Sequence, residues 1–186
     1  MKTYVINLFG GPGISKSTTM ARIFSELKIR GYSVEMAQEF AKELVWSKSF
    51  YELSNQIYVF ANQLHRVKML DMQVQFIVCD SPLPLSLIYD PDDNKLFHKL
   101  VMREFDKFNN INIILERENN FYEENGRIHS LEESIQIDSR IEELLKDHGV
   151  NFGIYSPLDF DKIVEYVFEL GYNNELESYV TCKTSS

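Results

Sequence analysis

Five short apolar runs recur along the chain, at Tyr4–Phe9, Ser33–Gln38, Gln75–Cys79, Asn110–Leu115 and Asn151–Tyr155. Several are nearly continuous in Val, Ile, Leu and Phe, the pattern of strands covered on both faces in a parallel sheet. Between them the apolar spacing lengthens to three and four. Thr18–Arg30 puts Met20, Ile23, Phe24 and Leu27 on one face, and Gly31 ends it. Ser54–Met69 carries Ile57, Tyr58, Ala61, Leu64 and Met69, Phe97–Phe108 carries Leu100, Val101, Phe105 and Phe108, and Leu131–His148 carries Ile135, Ile137, Ile141, Leu144 and Leu145. Ser130 and Glu133 have the spacing of a capping box before the last of these, and Gly149 follows it as a terminator. Glu39–Trp46 and Asp161–Leu170 also read as helical. Strands alternating with helices predict an α/β doubly wound domain, a five-stranded parallel sheet with helices on both faces. It is expected over residues 1–172, with 173–186 as a flexible tail without pattern.

Composition narrows the picture. A chain of 186 residues suits one domain, and 44% hydrophobic with 25% charged residues excludes disorder and collagen as the main description. Cys79 lies in an apolar run and Cys182 in the polar tail, so a reduced protein is expected rather than a disulfide scaffold. No run of about 18 apolar residues appears, which speaks against a membrane span. Met1–Tyr4 leads straight into the first strand without a secretory layout, so a cytoplasmic setting is expected. The formal charge is −9 and the pI about 5.0. Tracking along a long duplex needs clustered Lys and Arg, and no such block exists. A local pocket for a few phosphates remains allowed.

The strongest chemical signal is Gly10-Gly11-Pro12-Gly13-Ile14-Ser15-Lys16-Ser17-Thr18, between the first strand and the first helix. This is a phosphate loop in its required context. Backbone N–H groups of Gly11, Pro12's neighbours Gly13 and Ile14, and Ser15 to Thr18 would ring the phosphate oxygens, and the helix N-terminus adds partial positive charge. Lys16 is expected to reach the β- and γ-phosphates and Ser17 to ligate Mg²⁺, so ATP and Mg²⁺ are the expected cofactors. The pattern has glycine before the lysine, and Ser15 stands there instead. If that position needs positive φ, a serine costs about 1 kcal/mol.

Glu39 and Asp80 follow the second and third strands, where ligands bind in an open parallel sheet. Asp80 matches the position that holds Mg²⁺, or alternatively a turn aspartate before Ser81-Pro82. Glu39 suits a group that orients and deprotonates an accepting hydroxyl, or alternatively an ordinary helix-start residue. Their roles can also be exchanged. Two segments read as functional loops: Ser81–Asn94, with Pro82, Pro84, Pro91 and an acidic Asp90-Pro91-Asp92-Asp93, and the polar Glu116–Ser130. Arg117 and Arg127 in the second are candidates for stabilising the transferring phosphoryl group, with Tyr122 and Gly126 as contact and hinge of a lid. Between Glu116 and Asp147, however, ten acids face four bases, so these arginines could also simply neutralise neighbours. On the helix after residue 54, Gln56, Gln63 and Arg66 share about one face, while Tyr58 and Phe60 read as core. A glutamine can read a pyrimidine edge with two hydrogen bonds. The four histidines show no metal-ligand spacing.

The residues support a comparison. Gly10–Thr18 resembles the phosphate loop of nucleoside and nucleotide kinases. Glu39…Trp46 is similar to the segment after the second strand of deoxynucleoside kinases, where the resemblance implies a glutamate base for the sugar hydroxyl. Gln56-x-Tyr58…Arg66 is similar to that family's substrate helix, which implies substrate contacts for Gln56, Gln63, Arg66 and Trp46. Asp80-Ser81 stands where that family has Glu-Arg-Ser, without its arginine. Over roughly residues 4–170 the chain also resembles small P-loop kinases and ATPases of tailed bacteriophages, through Asn7-Leu8-Phe9-Gly10, Glu39-Phe40-Ala41-Lys42, Asp80-Ser81-Pro82-Leu83 and Gly126-Arg127. Related phage enzymes phosphorylate hydroxymethylated pyrimidines in DNA. The resemblance thus implies a kinase fold with an arginine-bearing lid, Mg-ATP as donor and a nucleoside- or nucleotide-type acceptor, or a modified base in DNA, in a bacterial host's cytoplasm. A regulatory ATPase acting through a protein partner, and a binding protein with an inert loop, are the other readings.

Overall fold

The computed structural model describes residues 1–117 and 130–171. Five strands, β1 (Tyr4–Phe9), β2 (Val34–Ala37), β3 (Phe76–Cys79), β4 (Asn109–Leu115) and β5 (Gly153–Tyr155), pair in the order β2-β3-β1-β4-β5, all parallel. The described helices are α1 (Lys16–Ile29), α2 (Phe40–Trp46), α3 (Phe50–Ser54), α4 (Gln56–Leu70), α5 (Leu85–Ile88), α6 (Lys95–Phe105), α7 (Leu131–Asp147) and α8 (Phe160–Gly171). None of them is long and apolar enough to cross a membrane.

Alternation along the strands builds two cores. Tyr4, Ile6 and Leu8 of β1 face α1 and α8 together with Val34, Phe76, Val78, Ile111 and Ile113. Val5, Ile77 and Cys79 face α4 on the other side, where Phe9 and Ile114 also meet α5, α6 and α7. Both faces are covered, so the strands read as continuous apolar runs. Four asparagines interrupt them without orphaning a polar group, and Asn109, at the start of β4, donates to the Thr3 carbonyl. Asn7 donates to the side chains of Asn110 at 2.9 Å and Asn112 at 3.0 Å, and Asn112 donates to the Asn151 carbonyl.

The boundaries follow local chemistry. Ser130 and Glu133 form the expected capping box, and Gly31 and Gly149 take positive φ after α1 and α7. Four expectations are corrected. The segment Ser81–Asn94 is not a simple exposed loop: Pro82–Ile88 are buried and include α5, because four aliphatic side chains fill the α4–α6–α7 side. Helix α6 starts before Phe97, because the Asn94 side chain accepts the Leu96 and Phe97 N–H groups. Helix α3 was not anticipated. Helix α4 buries Phe60, Gln63 and Val67, whereas Ile57, Tyr58, Ala61 and Met69, expected inside, are exposed. Likewise Leu100 and Ile135 face outward. The expected tail and Cys182 lie outside the described residues.

Candidate active site

Register places the site. Asn7 and Ala37 both stand beside Cys79. Continuing by one residue brings Leu8, Asp80 and Gln38 level, with Glu39 one step beyond. The loop at Gly10 and the two carboxylates therefore leave the same edge of the sheet, at the carboxyl ends where the connections diverge. On the other side of β1, Phe9 pairs with Ile114, which puts Arg117 level with Pro12.

The loop is held open by its backbone. Gly13 takes φ 85, and Ser15, the residue before α1, takes φ 64 and ψ 24, the left-handed conformation that a glycine would adopt more cheaply. Ile14 is buried in the α1–α8 core and anchors the turn. Ser15 makes no side-chain cap and no acid stands in the first turn of α1. The amides of that turn are thus left for an anion, and Ser17 and Thr18 are exposed beside them. The Lys16 ammonium donates to the Gly10 carbonyl at 2.7 Å and the Gly11 carbonyl at 2.8 Å. Burial lowers its pKa, while the charges of Glu39, Asp80 and Asp138 oppose that and Arg117 adds to it. These five side chains therefore act on one locus.

Asp80 is 5% exposed, and burial followed by the charge of Glu39 pushes its carboxyl up to about 6. One of its oxygens is buried without a hydrogen-bond partner among the described residues. An orphaned carboxylate oxygen at the strand end suits a hard cation. Among the described residues no group of three or more His, Cys, Asp or Glu side chains could hold a metal. Mg²⁺ bound with a nucleotide needs only one or two protein oxygens, because phosphates and water complete its shell. Glu39 precedes α2 and is partly exposed. Beneath Asp80, burial raises the Cys79 thiol to about 12, which leaves it unreactive.

The helix-borne residues make different contacts from those a free recognition surface would show. Gln63 accepts the Phe40 N–H at 3.0 Å and donates to the Cys79 sulfur at 3.6 Å. Gln56 donates to the Leu53 carbonyl at 3.2 Å. Arg66 donates to the Gln38 carbonyl at 3.2 Å, pairs with Glu43 at 2.7 Å and stacks over Phe40. All three join α4 to α2 and α3 behind Glu39. Trp46 ends α2 and is 68% exposed. Arg117 lies beside the loop, while Arg127, Tyr122 and Gly126 fall outside the described residues.

Two residues of the site had no local signal. Asp138 of α7 contacts both the loop and Arg117, yet in sequence it is one acid among many. Tyr89 follows α5, and burial, then Glu39 and Asp138, raise its phenol, so it also borders this locus.

A protein-family profile described as an AAA domain matches residues 5–161. No curated protein matches the chain. Among solved structures, thymidylate kinase from Ehrlichia chaffeensis superposes with a TM-score of 0.62 at 15% identity, covering 91% of this chain and 99% of that one. Deoxyadenosine kinase from M. mycoides with bound dATP superposes at 0.52 with 17% identity, covering 89% and 97%. At such identities the likeness is one of fold: the parallel-sheet architecture is shared with these two kinases. With most of its length matched, its strand order settled and its loop in place, the chain belongs to the AAA domain family of P-loop proteins.

Proposed function

We propose that the protein is an ATP-dependent phosphotransferase that moves the γ-phosphoryl group of Mg-ATP to a hydroxyl or phosphate of a nucleoside- or nucleotide-type acceptor. The observation that carries this reading is the convergence of an uncapped helix N-terminus, the Lys16 ammonium and two strand-end carboxylates on one sheet edge. Backbone N–H groups from Gly13 to Thr18 bind the triphosphate, the Gly11 N–H being taken by Asp138, and Lys16 leaves the loop carbonyls for the β- and γ-phosphates. Ser17 and Asp80 hold Mg²⁺, which supplies charge neutralisation on the phosphate oxygens. Glu39 orients the accepting hydroxyl and takes its proton. Arg117, with Arg127, stabilises charge on the transferring group. Trp46 faces the acceptor, and Gln56, Gln63 and Arg66 act on the acceptor side by holding α4 against α2 and α3. The neighbours named as thymidylate and deoxyadenosine kinases support a nucleoside-type acceptor. A hydroxymethylated pyrimidine in DNA is the polymeric form of the same acceptor chemistry, and the bacterial cytoplasm is its proposed setting.

The family's AAA description favours one second reading, an ATPase coupled to a protein partner. One assay separates them. The full chain is incubated with γ-labelled ATP, Mg²⁺ and a panel of nucleosides, nucleotides and oligonucleotides containing hydroxymethylated pyrimidines. Label on an acceptor, confirmed by mass, is the expected result. Release of inorganic phosphate alone would favour the coupled ATPase, and neither transfer, hydrolysis nor ATP binding would overturn both.

A further inference from the structure

Asp138 reaches back from α7 to a loop 127 positions earlier in the chain. One of its carboxylate oxygens accepts the Gly11 N–H at 2.5 Å, and the other accepts the Arg117 Nε–H at 2.7 Å. The Arg117 Nη2 in turn donates to the Pro12 carbonyl at 2.9 Å. Carboxylate, guanidinium and loop backbone close a ring of three contacts. The fit is tight, since a Cβ at Gly11 would stand 2.7 Å from the Ser134 carbonyl and 2.8 Å from the Asp138 carboxylate.

The ring leaves one group over. The Arg117 side chain is only 11% exposed, and its Nη1 is buried without a hydrogen-bond partner among the described residues. A carboxylate that gripped both terminal nitrogens would have satisfied it. Asp138 instead gives the guanidinium a single oxygen, on Nε, and uses the other on the loop. A buried guanidinium N–H without an acceptor is costly, so its persistence points to an acceptor that arrives with a ligand. Beside a phosphate loop that acceptor is a phosphate oxygen.

We propose that Asp138 is a positioning residue, which locks the Arg117 guanidinium to the phosphate loop so that Nη1 is presented to an oxyanion of the γ-phosphoryl group as it transfers. This rests on the reading of the loop as a triphosphate site. It departs from the view that Arg117 merely neutralises an acidic stretch. The pairing with Asp138 is the means by which the arginine is aimed.

The test is a double-mutant cycle on the full chain, using Arg117→Ala, Asp138→Ala and the pair, with Asp138→Asn as the variant that keeps the side-chain volume. ATP turnover is followed with the best acceptor, or as hydrolysis if none is found, together with circular dichroism and calorimetry of Mg-ATP binding. Asp138→Ala and Arg117→Ala are each expected to lower kcat by 10- to 100-fold, with the ATP KM changed less than threefold, and the pair to be no worse than the worse single variant. Asp138→Asn should fall between parent and alanine. Losses that multiply in the pair, losses that follow unfolding, or a fully active Asp138→Asn would overturn the proposal. If the parent neither binds nor turns over ATP, the triphosphate reading itself fails and the proposal with it. A working parent with an additive cycle removes only the role given to Asp138.

Discussion

Burial and the charge of Glu39 push the Asp80 carboxyl from 3.8 up to about 6. The consequence for stability has a definite sign. Below about pH 3.8 the group is protonated whether the chain is folded or not, and it makes no difference. Above about 6 it is charged in both states, and the folded state bears the whole cost, about 3 kcal/mol for a shift of this size. Without bound cation, then, this carboxyl lowers stability as pH rises between those values. Asp80→Asn is expected to melt higher than the parent at pH 8 in magnesium-free buffer, with the gap closing by pH 4. Equal melting at pH 8 would contradict a carboxyl strained by burial. The same variant should lose magnesium-dependent turnover, since its amide cannot supply the charge. Ser15 shows what a single position discloses in the sequence. A missing glycine before the lysine already asked whether the backbone there turns left-handed, and φ 64 answers it.

Helix α4 was the element hardest to read. Apolar residues lie all round it, so periodicity admits more than one buried face. Its orientation is settled by polar anchors instead: Gln63 bonded to Phe40 and Cys79, and Arg66 to Gln38. Those partners come from other elements and leave no trace in the local pattern. The corrected face has a direct check by urea titration. Phe60→Ala should cost about 3–5 kcal/mol, and Ile57→Ala should stay within about 0.5 kcal/mol. Equal effects would restore the face first expected. The central strands β1, β3 and β4 were legible almost to the residue, because burial on both sides writes itself as an unbroken apolar run, whereas β5, with Ile154 exposed, starts two residues after the expected point. The asparagines of β1 and β4 were the exception in kind: polar in sequence, yet satisfied by one another across the sheet. Their pairing also resists a shift in register, since a one-residue slip would separate the partners.

For the whole molecule, the loop and both strand-end carboxylates could be located in advance because they sit next to recognisable strands. What could not be located was anything that joins distant parts of the chain. Asp138 and Tyr89 are ordinary residues in sequence, and only the packing of α5 and α7 brings them to the site. A ligand that binds the folded chain alone stabilises it by about 2.7 kcal/mol at a hundredfold excess over Kd. For a chain of this size that is roughly 5–10 °C in Tm. Mg-ATP is expected to produce such a rise in a thermal melt, and Lys16→Met to abolish it. A parent indifferent to Mg-ATP would remove the basis of the kinase reading.

The bond between Gly11 and Asp138 also bears on biosynthesis. The loop proposed to cradle phosphate leaves the ribosome before its brace, which is translated 127 residues afterwards. A nascent chain therefore cannot complete its nucleotide cradle until α7 has emerged, and truncated products ending before that helix should be blind to ATP.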